Sequence, residues 1–162
     1  MFEDHNSSIY DVVLGAKLLT KVQLDELDET RHSTGKSLAD AIVDSGLVEK
    51  TKLLEAIASY LNYDYEPIPP ANIPEEVYKQ LRPNLARTYG VVPCKADDTH
   101  ITLLCKDPFN NAIIDDLTFT LNKDVTLVVM DPDQVDHLIV QCYGEEDSSI
   151  DDILSEISEV DF

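Results

Sequence analysis

The stretch Leu18-Leu19-Thr20-Lys21-Val22-Gln23-Leu24 returns 29 residues later as Leu47-Val48-Glu49-Lys50-Thr51-Lys52-Leu53. The same offset lays Ile9 on Leu38, Val13 on Ile42 and Leu14 on Val43, so hydrophobic phase and turn position agree together. Apolar residues in each copy recur at three and four, not at two, which predicts a helical hairpin with one apolar face. One such hairpin cannot bury that face alone, whereas two can cover each other. Local signals agree with the repeat. Ile9, Val12, Val13, Ala16 and Leu19 line one face, and Thr20 to Gln23 has the spacing of a capping box before Leu24 and Leu27. His32 to Lys36 reads as a polar break. Ser37 then caps a helix carrying Leu38, Ala41 and Ile42, and Gly46 suits its left-handed end. A further helix from Lys50 to Leu61 carries Leu53, Leu54, Ile57 and Leu61. Residues 1–65 are thus expected to form a helical bundle from a duplicated hairpin.

Beyond the repeat, residues 62–72 form a connection with Pro67, Pro69 and Pro70, the best domain boundary in the chain. Pro74 opens a helix expected to reach Leu81, and Pro83 opens another that Gly90 ends. The period then switches to two. Val91 to Lys95 and His100 to Lys106 read as strands around Asp97-Asp98, with Val92, Cys94, Ile101, Leu103 and Cys105 expected on one face. Asn110 or Asn111 caps a helix with Ile113, Ile114, Leu117 and Leu121. Val125 to Met130 is a strand, and Asp131-Pro132 opens a last helix to Tyr143. The fold class is therefore α+β, with the helical bundle followed over residues 66–144 by a small α/β sandwich whose three-stranded sheet has the order ββαβα.

Residues 145–162 hold eight acids and no base, yet Ile150, Ile153, Leu154, Ile157 and Val160 recur at helical spacing behind Ser148 and Ser149. Two readings stand: a solvated acidic linker, or an amphipathic segment that docks on its own domain or on a partner through Ile150, Ile153, Leu154 and Ile157. The 162 residues carry 12 Lys plus Arg against 32 Asp plus Glu, a formal charge of −20. A surface this acidic repels nucleic acid phosphate and anionic membranes, while 43% apolar residues suffice for a core. No apolar run is long enough to span a bilayer, and the acidic start differs from a signal peptide. Three cysteines without CxxC spacing agree with free thiols in a reducing cytosol.

The sequence assembles no catalytic or metal constellation. Thr34-Gly35-Lys36-Ser37 resembles the tail of a phosphate-binding loop, but Thr30 stands where that motif needs Gly, and a polar helix precedes it in place of a strand. Cys94, His100 and Cys105 share a predicted hairpin at separations too large for zinc or a disulfide. Asp131, Asp133 and Asp136 lack the Gly of a calcium loop and fit a helix start. No Ser/His/Asp or Cys/His set can be assembled. The reading is a chain without catalytic residues, cofactor or metal.

Leu81-Arg82-Pro83-Asn84-Leu85-Ala86-Arg87-Thr88-Tyr89-Gly90-Val91-Val92-Pro93, then Ile101-Thr102-Leu103-Leu104 and Asp107-Pro108, resembles the N-terminal domain of the GspE/PilB family of type II secretion and type IV pilus assembly ATPases, also called the MshE N-terminal type. Ser45-Gly46-Leu47-Val48-Glu49-Lys50-Thr51-Lys52-Leu53 is similar to that family's repeat unit, and the offset of 29 is its spacing. The resemblance covers Ile9 to Gly144. It implies a chain that ends before the family's ATPase domain, and a non-catalytic module coupling the motor to the cytoplasmic domain of an inner-membrane platform protein. The partners implied are that protein and the chain's own C-terminal ATPase domain. The place implied is the cytoplasm, peripheral at the inner membrane through the partner. Lys17 and Glu29, on the first hairpin, are the candidate interaction residues of the folded part. One branch of the family binds cyclic di-GMP through an "RLG" start and a closing Gln in each repeat. Here Ser8-Ile9-Tyr10 and Arg31, then Ser37-Leu38-Ala39 and Tyr60, stand in those places, so cyclic di-GMP is not the expected ligand. A nucleotide sensor and a free-standing regulator of the same fold are the alternatives.

Overall fold

The computed structural model describes residues 1–144. After a 3-10 turn at Glu3–His5, helices α1 (Asn6–Gly15), α2 (Lys21–Thr34), α3 (Leu38–Asp44) and α4 (Lys50–Leu61) form the two hairpins. Strand β1 (Asp64–Tyr65) follows, then α5 (Glu75–Tyr78), α6 (Pro83–Tyr89), β2 (Val91–Ala96), β3 (His100–Cys105), α7 (Ala112–Leu121), β4 (Asp124–Val129) and α8 (Pro132–Tyr143).

The duplication is realised at the level of single residues. Ile9 and Leu38, Val13 and Ile42, Leu19 and Val48, Leu24 and Leu53 are all buried in one apolar cluster. Helices α2 and α4 start at equivalent positions. Thr20 and Gln23 form the full capping box, with Thr20 Oγ1 accepting from Gln23 N and Gln23 Oε1 from Thr20 N. Glu49, its equivalent, takes the extended N-cap conformation with no side-chain bond. The turns match too: Lys17 has φ 58° where Gly46 has φ 76°. A left-handed residue is required there, and glycine adopts it without the Cβ clash that lysine carries.

The sheet has the order β1-β4-β3-β2, parallel at β1/β4 and β3/β4 and antiparallel at β2/β3. It therefore has four strands, one more than the period-two signal gives. The added strand is only two residues long and enters a proline-rich stretch, so no alternation can announce it. Glu66 N donates to Val129 O just beyond it. Through β1 the helical hairpins reach the sheet, since α4 packs on β1 and β4 and Val129 joins the helical cluster.

Two further expectations are corrected at the second strand. A bulge between Pro93 and Lys95 puts Lys95 opposite Thr102 and Ala96 opposite Ile101, and Cys94 and Ile101 do not share a face. Val92 pairs with Leu104 and packs with Met130, Val135, Leu138 and Ile139, with Cys94 at the margin of that cluster. Ile101, Leu103 and Cys105 lie on the other face with Val91, Ile113, Leu117 and Leu127. Helices cover both faces, which removes the polar side that alternation needs. The polar break also begins later, because α2 continues to Thr34 and Gly35 (φ 73°) caps it. Helix α5 stops at Tyr78, short of Leu81, which is buried in the sheet cluster.

The tail positions Ile150, Ile153, Leu154 and Ile157 lie outside the described residues.

Candidate interaction site

Three hollows are prominent on the described surface. The first, about 250 Å³, sits between α1 and α2 and is lined by Asn6, Ser7, Tyr10, Asp11, Asp28 and Arg31. Several of its polar groups are already engaged. Tyr10 OH donates to Asp25 Oδ1 at 2.7 Å across the hairpin, and Arg31 Nε donates to Asp28 Oδ1 at 2.6 Å with only 15% of its side chain exposed. The phenol of Tyr10 is held above its ordinary pKa, chiefly by the hydrogen bond to Asp25 and also by burial and by the nearby carboxylates. An anion entering this hollow meets carboxylates and a guanidinium whose Nε is already bonded to one of them.

The second hollow is a groove of about 320 Å³ at the tip of the same hairpin, lined by Leu14, Lys17, Leu18, Leu19, Thr20 and Gln23. Lys17 and Glu29 are both exposed. Lys17 is on the rim of the groove, and Glu29 is two turns along α2 from Val22. The structure thus puts the two candidates on one hairpin.

The third, about 650 Å³, lies where α3, α4, α8 and the N-terminal segment meet, and is largely acidic. Lys50 Nζ reaches Asp131 Oδ1 at 2.8 Å and Asp133 Oδ2 at 3.0 Å, tying α4 to the start of α8. Burial alone would lower the Lys50 ammonium, but the two carboxylates outweigh it and raise it above its ordinary value. Lys106 Nζ bonds Asp136 Oδ1 at 2.8 Å. The His5 ring packs on Phe109, with centroids 5.1 Å apart, and its Nε2 lies 3.3 Å from Asp107 Oδ2 in hydrogen-bond geometry. Asp107 Oδ1 is as near, at 3.3 Å, but shielded and without an aligned donor. This junction escapes sequence reasoning because His5 and Asp107 are 102 residues apart, with no periodicity to connect them.

Thr34-Gly35-Lys36-Ser37 is the seam between two helices: Gly35 ends α2, and Ser37 Oγ accepts from Asp40 N to begin α3. Cys94, Cys105 and Cys142 are free thiols. Burial pushes Cys105 up to about 12, and Cys94 and Cys142 are raised by the same cause. Among the described residues no group of His, Cys, Asp and Glu is placed to hold a metal ion, and no helix is long and apolar enough to cross a membrane.

A duplicated helical hairpin joined to a four-stranded α/β layer defines the class of fold. The MshEN domain matches residues 61–149, and the chain belongs to the MshEN domain family. It is similar to the type IV pilus assembly ATPase PilB of Myxococcus xanthus, 23% identical over 150 residues that make 92% of this chain and 26% of that protein. It is also similar to the type IV pilus assembly ATPase PilB of Thermus thermophilus, 30% identical over 71% of this chain and 14% of that protein. The chain thus spans about a quarter or less of these relatives. In fold it is similar to MshE, solved with cdg, at TM-score 0.71 and 18% identity over 83% of this chain and 98% of that one. The N-terminal domain of XpsE matches at TM-score 0.58 and 21% identity, over 84% and 94% of the two chains.

Proposed function

We propose that this chain is a non-catalytic interaction module of a type IV pilus or type II secretion ATPase, coupling the motor to the cytoplasmic domain of an inner-membrane platform protein. In this reading the hairpins of residues 1–65 dock, residues 66–144 form the second subdomain, and residues 145–162 lead toward an ATPase domain. The observation that carries it is the hollow between α1 and α2. Where a dinucleotide reader would need free cations and close backbone approach, Tyr10 is locked to Asp25 and Arg31 to Asp28. What is left for the first hairpin is an exposed outer face bearing Lys17 and Glu29.

The test is a pull-down of the platform protein's cytoplasmic domain by the full chain carrying Lys17→Glu or Glu29→Lys. Both side chains are exposed, so the fold should survive, and binding should weaken several-fold. Unchanged binding across the whole face would count against the reading.

A second reading, a sensor of a cyclic dinucleotide, is favoured by one observation, the likeness of fold to MshE solved with cdg, which we read as cyclic di-GMP. Calorimetry with that ligand separates the two, since a sensor binds it at micromolar concentration and an interaction module does not.

A further inference from the structure

The internal repeat supplies its own control for the outer face of α2. At the offset of 29, Asp25 corresponds to Leu54 and Glu29 to Ala58. Leu54 and Ala58 are buried, and α4 packs on β1 and β4. The equivalent face of α2 is exposed among the described residues and carries carboxylates in place of those apolar residues. Residue 22 goes the other way: the second hairpin has Thr51, whereas the first has Val22, 67% exposed. Val22, Asp25, Glu26 and Glu29 fall at i, i+3, i+4 and i+7, one stripe along α2, and all four are exposed. Gln23, next to Val22 in sequence, lines the groove together with Leu14, Lys17, Leu18, Leu19 and Thr20, and Leu14 is 38% exposed. Asp11 stands one turn from Leu14 on the neighbouring helix.

We infer that the groove at the tip of the first hairpin, together with the acidic stripe of α2, receives an amphipathic segment of another protein. Its apolar residues enter between Leu14, Leu18 and Val22, and its Lys or Arg residues lie along Asp25, Glu26 and Glu29. This rests on the docking reading above and names the chemistry of the partner. Charge decides among the occupants. The chain's own tail brings eight acids and no base, and a second copy brings a charge of −20, so both are repelled by the stripe. A basic segment is steered toward it.

The test uses the full chain and two fluorescein-labelled 15-residue amphipathic peptides, one of Leu and Lys, the other of Leu and Glu. Anisotropy gives affinity, and hydrogen exchange gives the footprint. The Leu/Lys peptide should bind and protect residues 14–29, and the Leu/Glu peptide should not bind. Val22→Asp should weaken binding at least tenfold, as should Glu26→Lys with Glu29→Lys. Asp44→Asn with Asp136→Asn, in the acidic junction, should change it less than twofold. Val22 is the second residue of α2, where an aspartate favours the helix, so its variant should fold. A footprint at the junction, equal weakening by the junction variant, or indifference to Val22→Asp overturns the inference. So does protection of residues 14–29 without peptide that is lost on Ile153→Asp with Leu154→Asp, or a dimer that Val22→Asp dissolves. If the platform domain binds elsewhere on residues 1–65 with residues 14–29 unprotected, the groove fails together with the choice of Lys17 and Glu29, and only coupling through the hairpins stands. If that domain does not bind at all while the peptide footprint holds, only the docking reading fails.

Discussion

Lys17→Gly should stabilise the protein, an unusual outcome for glycine placed between two helices. The cause is the turn conformation shared by the repeats: Lys17 sits at φ 58° and Gly46 at φ 76°. Relieving a left-handed non-glycine residue recovers roughly 1–2 kcal/mol, and the greater freedom of glycine in the unfolded chain returns about 0.4–1 kcal/mol of that. The net gain is about 0.5 kcal/mol. Gly46→Ala is the reciprocal change. Its new Cβ would meet nothing within 4 Å, so backbone strain acts alone and the variant should lose about 0.5 kcal/mol. Lys17→Ala keeps the strained backbone and should be near neutral, which separates the backbone effect from loss of the side chain. With a slope of about 2 kcal/mol per molar urea, the glycine variant's midpoint moves up by about 0.25 M. Far-ultraviolet circular dichroism along a urea titration reads that shift. A destabilised Lys17→Gly, or a Gly46→Ala indistinguishable from the parent, would show that the two turns are not equivalent and would remove the structural basis of the repeat.

Other consequences follow from burial. Leu24 and Leu53 are equivalent and fully buried, so alanine at either should cost about 2–5 kcal/mol in urea unfolding; a large cost at one and none at the other would break the pairing of hairpins. Cys105, held near 12, keeps its proton in the folded protein while the unfolded chain loses it from about pH 9. Its contribution to stability is therefore complete below about pH 9 and falls as pH rises toward 12, and Cys105→Ala should flatten that alkaline decline in urea midpoints. At pH 8 a thiol reagent should modify Cys94 and Cys142 well before Cys105; equal rates for all three would contradict the burial of Cys105.

The helical half was legible because its signals are local and say the same thing twice. Thr20 to Gln23, Ser37 and Gly46 fix helix ends through contacts within three or four residues, and the offset of 29 repeats the phase. The sheet was half legible. Alternation found β2, β3 and β4, but not β1, whose two residues become a strand only by pairing with Val128 and Val129. The bulge at Pro93 and Lys95 changes which face Cys94 shares, and a sheet with apolar clusters on both sides offers no clean polar face to report it. At the candidate site, the losses relative to a dinucleotide reader were readable as residue types at Ser8, Tyr10, Arg31 and Tyr60. Their consequence was only half readable: the Arg31–Asp28 bond is an i,i+3 pair within α2, whereas the bond from Tyr10 to Asp25 depends on how α1 crosses α2. Exposure of Val22 is likewise a fact of packing, since its spacing alone would equally suit a buried position.

Isothermal calorimetry of the full chain with cyclic di-GMP, carried to millimolar ligand, bears most directly on the claim that this MshEN-family domain is an interaction module and not a sensor. No saturable heat is expected, because the hollow between α1 and α2 presents Asp11 and Asp28 with an Arg31 already bound to a carboxylate. A saturable micromolar isotherm that disappears with Arg31→Ala would contradict that claim.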